Sequence, residues 1–226
     1  ETAKRLAEAE SRRSPVAIVS RLPADEDAGK RWVVDLERRP GTGGLPQPVL
    51  EALDADEPRL LHADGAEWFV QTIGNREELI IIGSGHVAQP LAKLAHMLAY
   101  RVALIDDRPS YASRERFPEA ATLLVGEHAA MLRQYGVTPR SSVVIITRGH
   151  VHDETSLRAA LTSPVLPRYV GMIGSKRRAI ETIKRLAAEG IDPVRLEQVR
   201  TPIGLDIGAD SPEEIALAVM AEIVAV

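Results

Sequence analysis

Four stretches of the chain place glycines, charges or histidines at spacings that suit a bound ligand. The first is Gly83-Ser84-Gly85-His86-Val87-Ala88, a G-x-G-x-x-A string between a short apolar run and an amphipathic segment. In that context Gly83 permits a tight turn, Gly85 lets backbone approach a pyrophosphate, and Ala88 allows close helix–strand packing. The helix that follows would offer unpaired N–H groups and a partial positive charge at its start. Asp106, 23 residues after Gly83, ends the next apolar run. An acid at that position can hold the two hydroxyls of an adenosine ribose. Arg108 beside it blurs the choice between a free ribose and its 2′-phosphate. The alternative is a scaffold that keeps the turn and binds no dinucleotide.

The second stretch, Gly171-Met172-Ile173-Gly174-Ser175-Lys176-Arg177-Arg178, also leads from an apolar run into a charged helix. Cations at a helix start oppose the macrodipole unless an anion compensates them. Gly174, Ser175, Lys176 and Arg177 are therefore candidate anion ligands, against the simpler possibility that Arg177 or Arg178 pairs with Glu181. The third stretch runs from Thr147 to Asp153 and holds His150, His152 and Asp153. His-x-His offers two metal ligands, but a metal site needs a third and fourth. No metal site is expected, and ligand contact, proton transfer or simple helix capping by Asp153 remain. His86 can approach from the first loop. His62, His96 and His128 have no such company and read as incidental. The fourth stretch, Thr201 to Asp210, carries two glycines and two acids. Either Asp206 aims into a cleft, or the segment is a turn that packs Leu205 and Ile207.

The elements that would position these residues follow from hydrophobic patterning. From Leu79 onward, apolar runs at 79–82, 102–105, 122–125, 143–146 and 169–173 alternate with helical segments. Continuous apolar runs suit strands buried on both faces, and the alternation predicts a Rossmann-like, doubly wound parallel sheet. Ser211-Pro212-Glu213-Glu214 reads as a capping box opening a final helix that is apolar nearly all round. Such a helix is buried in the core or against another copy of the chain. Residues 1–78 read as a small α+β domain. Thr2 to Arg12 suits a short charged helix, Val16 to Val19 and Trp32 to Leu36 suit strands, and Val49 to Leu53 a short helix. An Asp64-Gly65 turn joins two extended runs, a hairpin signal. The expected division is therefore 1–78 and 79–226.

Composition narrows the function classes. The 226 residues include 28 basic and 32 acidic side chains, a formal charge of −4, and 4% aromatics. A general nucleic-acid binder is not expected from that balance. No apolar run approaches the roughly 18 residues of a bilayer span, so neither a membrane span nor a signal peptide is expected. The absence of cysteine fits a cytoplasmic setting and rules out thiolate chemistry.

Taken together, four strings resemble the XdhC/CoxI family, accessory proteins of xanthine dehydrogenase and related molybdenum hydroxylases. They are the glycine loop, Thr147 to Asp153, Tyr169 to Arg178, and Pro202-Ile203-Gly204-Leu205-Asp206-Ile207-Gly208-Ala209 with Pro212-Glu213-Glu214-Ile215-Ala216. The resemblance spans about Leu79 to Val224 and implies the family's C-terminal Rossmann-like domain. It implies a maturation factor that binds the molybdenum cofactor and assists its insertion into a hydroxylase client, as a chaperone more than a catalyst. Gly83, Gly85 and His86 would then line a phosphate end, with Asp106 nearby. Gly174, Ser175, Lys176 and Arg177 would hold a second anionic group. His150, Asp153 and Asp206 would approach the reactive part. The family's Gly-Gly-Cys-Val-Glu element is met here only by Gly41-Thr42-Gly43-Gly44-Leu45-Pro46, without its cysteine. An NAD(P)-dependent oxidoreductase and a non-catalytic nucleotide-sensing module are the alternatives. A homodimer is expected from the final helix.

Overall fold

The computed structural model describes residues 4–8, 14–22, 30–36, 42–53, 55, 57–74 and 76–226, apart from the side chains of His150, Val151 and Lys176. It divides into two compact units, residues 1–76 and 77–226.

In the first unit, residues 4–8 are helical. The flanks of the expected 2–12 helix, the 23–29 loop and Gly41 lie outside the described residues. Strands β1 (Val16–Arg21), β2 (Arg31–Asp35), β3 (Arg59–Ala63) and β4 (Ala66–Ile73) form an antiparallel sheet in the order β2-β1-β4-β3. Asp64 and Gly65 both take positive φ, 50° and 71°. That is the backbone a two-residue hairpin loop needs to match strand twist. Burial alternates along β4, so Ala66, Trp68 and Val70 point into the core. Helix α1 (Gln47–Ala52) covers that face with Val49 and Ala52.

The second unit holds the sheet read from the apolar runs, extended by one strand. Its parallel strands are β5 (Glu78–Ile82), β6 (Arg101–Asp106), β7 (Thr122–Val125), β8 (Ser141–Ile145), β9 (Tyr169–Met172) and the two-residue β10 (Val199–Arg200). Their order is β10-β9-β8-β5-β6-β7. Successive strand residues point to opposite faces, which splits the core in two. Leu79, Ile81, Val102, Leu104 and Val144 meet helices α2 (Ala88–Met97) and α7 (Pro212–Ala225). Ile80, Ile82, Ala103, Ile105, Val143 and Ile145 meet α3 (His128–Tyr135), α4 (His150–Leu161), α5 (Lys176–Ala188) and α6 (Pro193–Glu197). Helices thus cover both faces of a six-strand parallel sheet, the doubly wound arrangement.

Two local readings are revised. Asp153 does not cap the helix that follows the third chemical stretch: α4 begins at His150 with Gly149 at its N-cap, so His150, His152 and Asp153 occupy its first turn. The final helix is not wholly buried. Ala216, Ala218, Val219, Met220 and Ile223 face inward, whereas Leu217 and Val224 are about half exposed. Its capping box is present as read, with the Ser211 hydroxyl accepting from the Glu214 N–H and the Glu214 carboxylate accepting from the Ser211 N–H.

Candidate ligand cleft at the carboxyl end of the sheet

β5 runs straight into the glycine loop and α2. Gly83 takes φ +100°, and a Cβ there would stand 2.6 Å from the Ile146 carbonyl oxygen. This glycine is demanded by the fold, because the turn passes hard against the chain leaving β8. Gly85 is different: a Cβ there would meet nothing within 4 Å. The space before it is open. The N–H groups of Gly85, His86 and Val87 have no hydrogen-bond partner among the described residues, and α2 has no side-chain cap. Exposed amides at a helix start form an anion-binding end.

Around this loop lies a small polar cleft of about 30 Å³, room for a water or two. Gly83, Ser84, Gly85, Asp106, Asp107, Arg108, His128, Ile146, Thr147, Arg148 and His152 line it. It sits where β5 parts β6 from β8, outside the carboxyl ends of the strands. In α/β sheets this is where connections leave in opposite directions and ligands bind.

Asp106 is buried and fully engaged. Its Oδ2 accepts from the Ser84 N–H at 2.8 Å and the Ser84 hydroxyl at 2.5 Å. Its Oδ1 accepts from the Arg108 N–H at 3.0 Å and the Arg108 Nε at 2.9 Å, and Arg108 Nη2 donates to Oδ2 at 3.1 Å. Burial alone would raise its pKa. The Arg108 guanidinium and the Ser84 donors outweigh that and hold the carboxyl well below the usual range. The expected ribose contact is therefore already occupied from within the chain. Arg108 also stacks on Tyr111, 3.5 Å from the ring centre, and Arg116 reaches the same ring at 4.5 Å.

The other site residues read from sequence scatter. Gly83, Gly85 and Asp106 line the cleft; His86 is exposed beside it. The Asp153 carboxylate is buried and accepts from the Thr147 hydroxyl at 2.6 Å, bracing the segment between β8 and α4. Gly174 and Ser175 stand at the end of β9, where Ser175 caps α5 by accepting from the Arg178 N–H. Arg177 is almost fully exposed and lies 3.8 Å from Glu181, the i,i+4 pair set against ligand binding. Asp206 is exposed and does not line the cleft. The side chains of His150 and Lys176 lie outside the described ones.

His128, read as incidental, belongs to the cleft wall. Its ring is buried and stands edge-on to His152, with centroids 5.2 Å apart. Burial lowers its pKa and favours the neutral ring, against the opposing pull of Asp107 and Asp106. Arg148, on the rim and 4.0 Å from Asp107, was also missed. The signal for both was topological: Arg148 follows β8, which pairs with β5, and His128 follows β7, which pairs with β6, a register that sequence spacing does not carry.

The fourth stretch packs through Ile203 and Gly204 and not, as the turn reading expects, through Leu205 and Ile207, which are about half exposed. Gly204 takes φ +95°, and its lack of a Cβ, which would stand 3.1 Å from the Val219 nitrogen, lets the segment lie on α7. Gly171 likewise leaves room for Ile203, which a Cβ would meet at 2.5 Å. Glu222 of α7 accepts from the Tyr169 hydroxyl at 2.5 Å and from the Gly204 N–H at 2.8 Å. Burial first, then this bond, push the Tyr169 hydroxyl above its ordinary pKa.

The chain is 34% identical over 156 residues to a probable xanthine dehydrogenase subunit of Bacillus subtilis (strain 168), covering 69% of this chain and 44% of that protein. It is 30% identical over 193 residues to the uncharacterized protein YqeB of Escherichia coli (strain K12), covering 78% of this chain and 35% of that one. The chain thus spans less than half the length of the curated relatives it matches. The crystal structure of a xanthine dehydrogenase from Bacillus halodurans superposes with a TM-score of 0.67 at 26% identity, over 98% of this chain and 64% of that one. The family model described as the XdhC Rossmann domain matches residues 79–223, and the chain belongs to that family.

Proposed function

We propose that the chain is an accessory factor in the maturation of a xanthine dehydrogenase-type molybdenum hydroxylase, binding the molybdenum cofactor and assisting its insertion. The observation that carries this reading is the open glycine loop on an XdhC Rossmann domain. Clear space before Gly85 and three unpartnered amides fit the phosphate of a pterin. The Gly85, His86 and Val87 N–H groups donate to its oxygens, and Arg148 adds charge at the rim. The Gly174-Ser175-Lys176-Arg177 loop, at the carboxyl end of the same sheet, takes a second anionic group. When bound, the cofactor carries the molybdenum chemistry its client uses; the residues here hold it and limit water. The names of the Bacillus subtilis and Bacillus halodurans relatives support the client class. A nicotinamide reading is the weaker one, since Ser84 and Arg108 already occupy the carboxylate that would hold the ribose. The reading sets the protein in the cytoplasm with its client, and among the described residues no helix is long and apolar enough to cross a membrane. It also includes a homodimer, joined through Leu217 and Val224 of α7, which sedimentation at micromolar concentration tests: a monomer near 25 kDa refutes it.

The deciding experiment purifies the chain from a host that makes the cofactor and oxidises any bound pterin to its fluorescent form. About one pterin per chain is expected. Gly85→Val is expected to lose it, because a β-branched side chain fills the phosphate space. Replacing Lys176 and Arg177 with glutamate is expected to weaken binding at least about tenfold, and less at high salt. Recovery of a nicotinamide, or of no ligand, overturns the reading.

A further inference from the structure

His150 and His152 are the closest-spaced histidines in the chain, yet the fold assembles a different donor set. Asp106 ends β6 and Asp107 follows it. β7 lies parallel beside β6 with Val125 opposite Asp106. Three residues on, α3 begins and returns His128 to the same end of the sheet. One ligand atom from each of Asp106, Asp107 and His128 lies within 4.8 Å of the other two. Three atoms that close share a centre no more than about 2.8 Å from each, against about 2.0–2.2 Å for zinc bonds to nitrogen or oxygen. Side-chain shifts of less than an ångström complete the coordination.

An independent sign is the state of His128. The residue is 3% exposed, lines the cleft, and has no hydrogen-bond partner among the described residues at either Nδ1 or Nε2. Buried ring nitrogens are otherwise almost always satisfied. Both are closed to solvent, so an ion reaches them more readily than an organic group does. His152 lines the same cleft with its ring centre 5.2 Å away, an available fourth donor. Imidazole with carboxylate and no thiolate suits a divalent transition metal. Arg108, bonded to Asp106, and Arg148, 4.0 Å from Asp107, are the resident cations. An arriving ion competes with Arg108 for the Asp106 carboxylate.

We propose that Asp106, Asp107 and His128, with His152 as fourth donor, bind a divalent transition-metal ion beside the glycine loop. The proposal is independent of the pterin reading, and its test uses the metal alone. The chelator-stripped full chain is titrated with Zn²⁺ by calorimetry and with Co²⁺ by visible absorption, which reports nitrogen ligation and coordination number. One ion per chain is expected. His128→Ala and Asp107→Asn are each expected to weaken it at least about tenfold, and Arg108→Gln to tighten it by removing the competing cation. Asp107 has an exposed side chain, so its variant decides the matter even if His128→Ala does not fold. His62→Ala is the control, since that exposed ring lies against Glu67 in the other unit. No saturable binding, affinity unchanged in Asp107→Asn, or equal loss in His62→Ala overturns the proposal.

Discussion

Gly83 and Gly85 sit two residues apart in one turn and answer to different demands. Gly83 is held at positive φ against the Ile146 carbonyl, so Gly83→Ala is expected to cost about 2–4 kcal/mol in stability, read as a lower urea midpoint. Gly85→Val is expected to leave that midpoint unchanged while removing ligand binding. The two variants therefore separate turn from site. Asp106 yields a third prediction. Asp106→Asn leaves the Arg108 guanidinium only the longer contact to Asp107, at 3.7 Å, and is expected to cost about 2–4 kcal/mol near neutral pH. The folded-state pKa of Asp106 is depressed, so its contribution is complete above the unfolded value of about 4 and is lost as pH falls through the folded one. Wild type and variant should converge in stability only in strong acid. The glycine loop was legible because strand, glycines and helix are contiguous in the chain. Arg108 was visible beside Asp106, but the closure it makes was not. His128 was illegible because it reaches Asp106 through the β6–β7 pairing, and only register tells which residues of two strands stand level.

At the scale of elements, local chemistry was the readable part. The Asp64-Gly65 hairpin and the Ser211 capping box each depend on a few adjacent residues, and both are present. The start of α4 was not readable, since Gly149 at its N-cap makes no side-chain cap bond. β10 was missed because two residues on a sheet edge carry no period. The closing motif was recognised as a string, but its use emerged only in three dimensions. Gly171, Ile203 and Gly204 interlock between β9 and α7, and Glu222 ties both together. Tyr169→Phe is expected to cost about 1–2 kcal/mol and to loosen this corner, measured as faster amide exchange at Gly204 and along the last two turns of α7.

At the scale of the whole chain, each core cluster among the described residues draws on residues of one unit. The first unit buries Ala17, Val19, Val34, Leu53 and Trp68; the second has one cluster on each face of its parallel sheet. Residues 77–226 expressed alone are therefore expected to fold with a single cooperative thermal transition and to keep the cleft, whose lining lies wholly within that segment. A molten segment, by near-ultraviolet dichroism, would show that the Rossmann unit needs its neighbour. The break in patterning near residue 78 was visible because strands buried on both faces read as unbroken apolar runs, whereas the antiparallel sheet alternates.

The closure of Ser84, Asp106 and Arg108 has a bearing on the speed of recognition. Because the carboxylate satisfies the Ser84 N–H and hydroxyl before any guest arrives, the loop is a finished mould. On the proposed reading, a guest would dock without waiting for a rare conformer and without ordering backbone. Its selectivity comes from shape and charge that are already in place. Dissociation, not a slow rearrangement, would then set how long the guest remains.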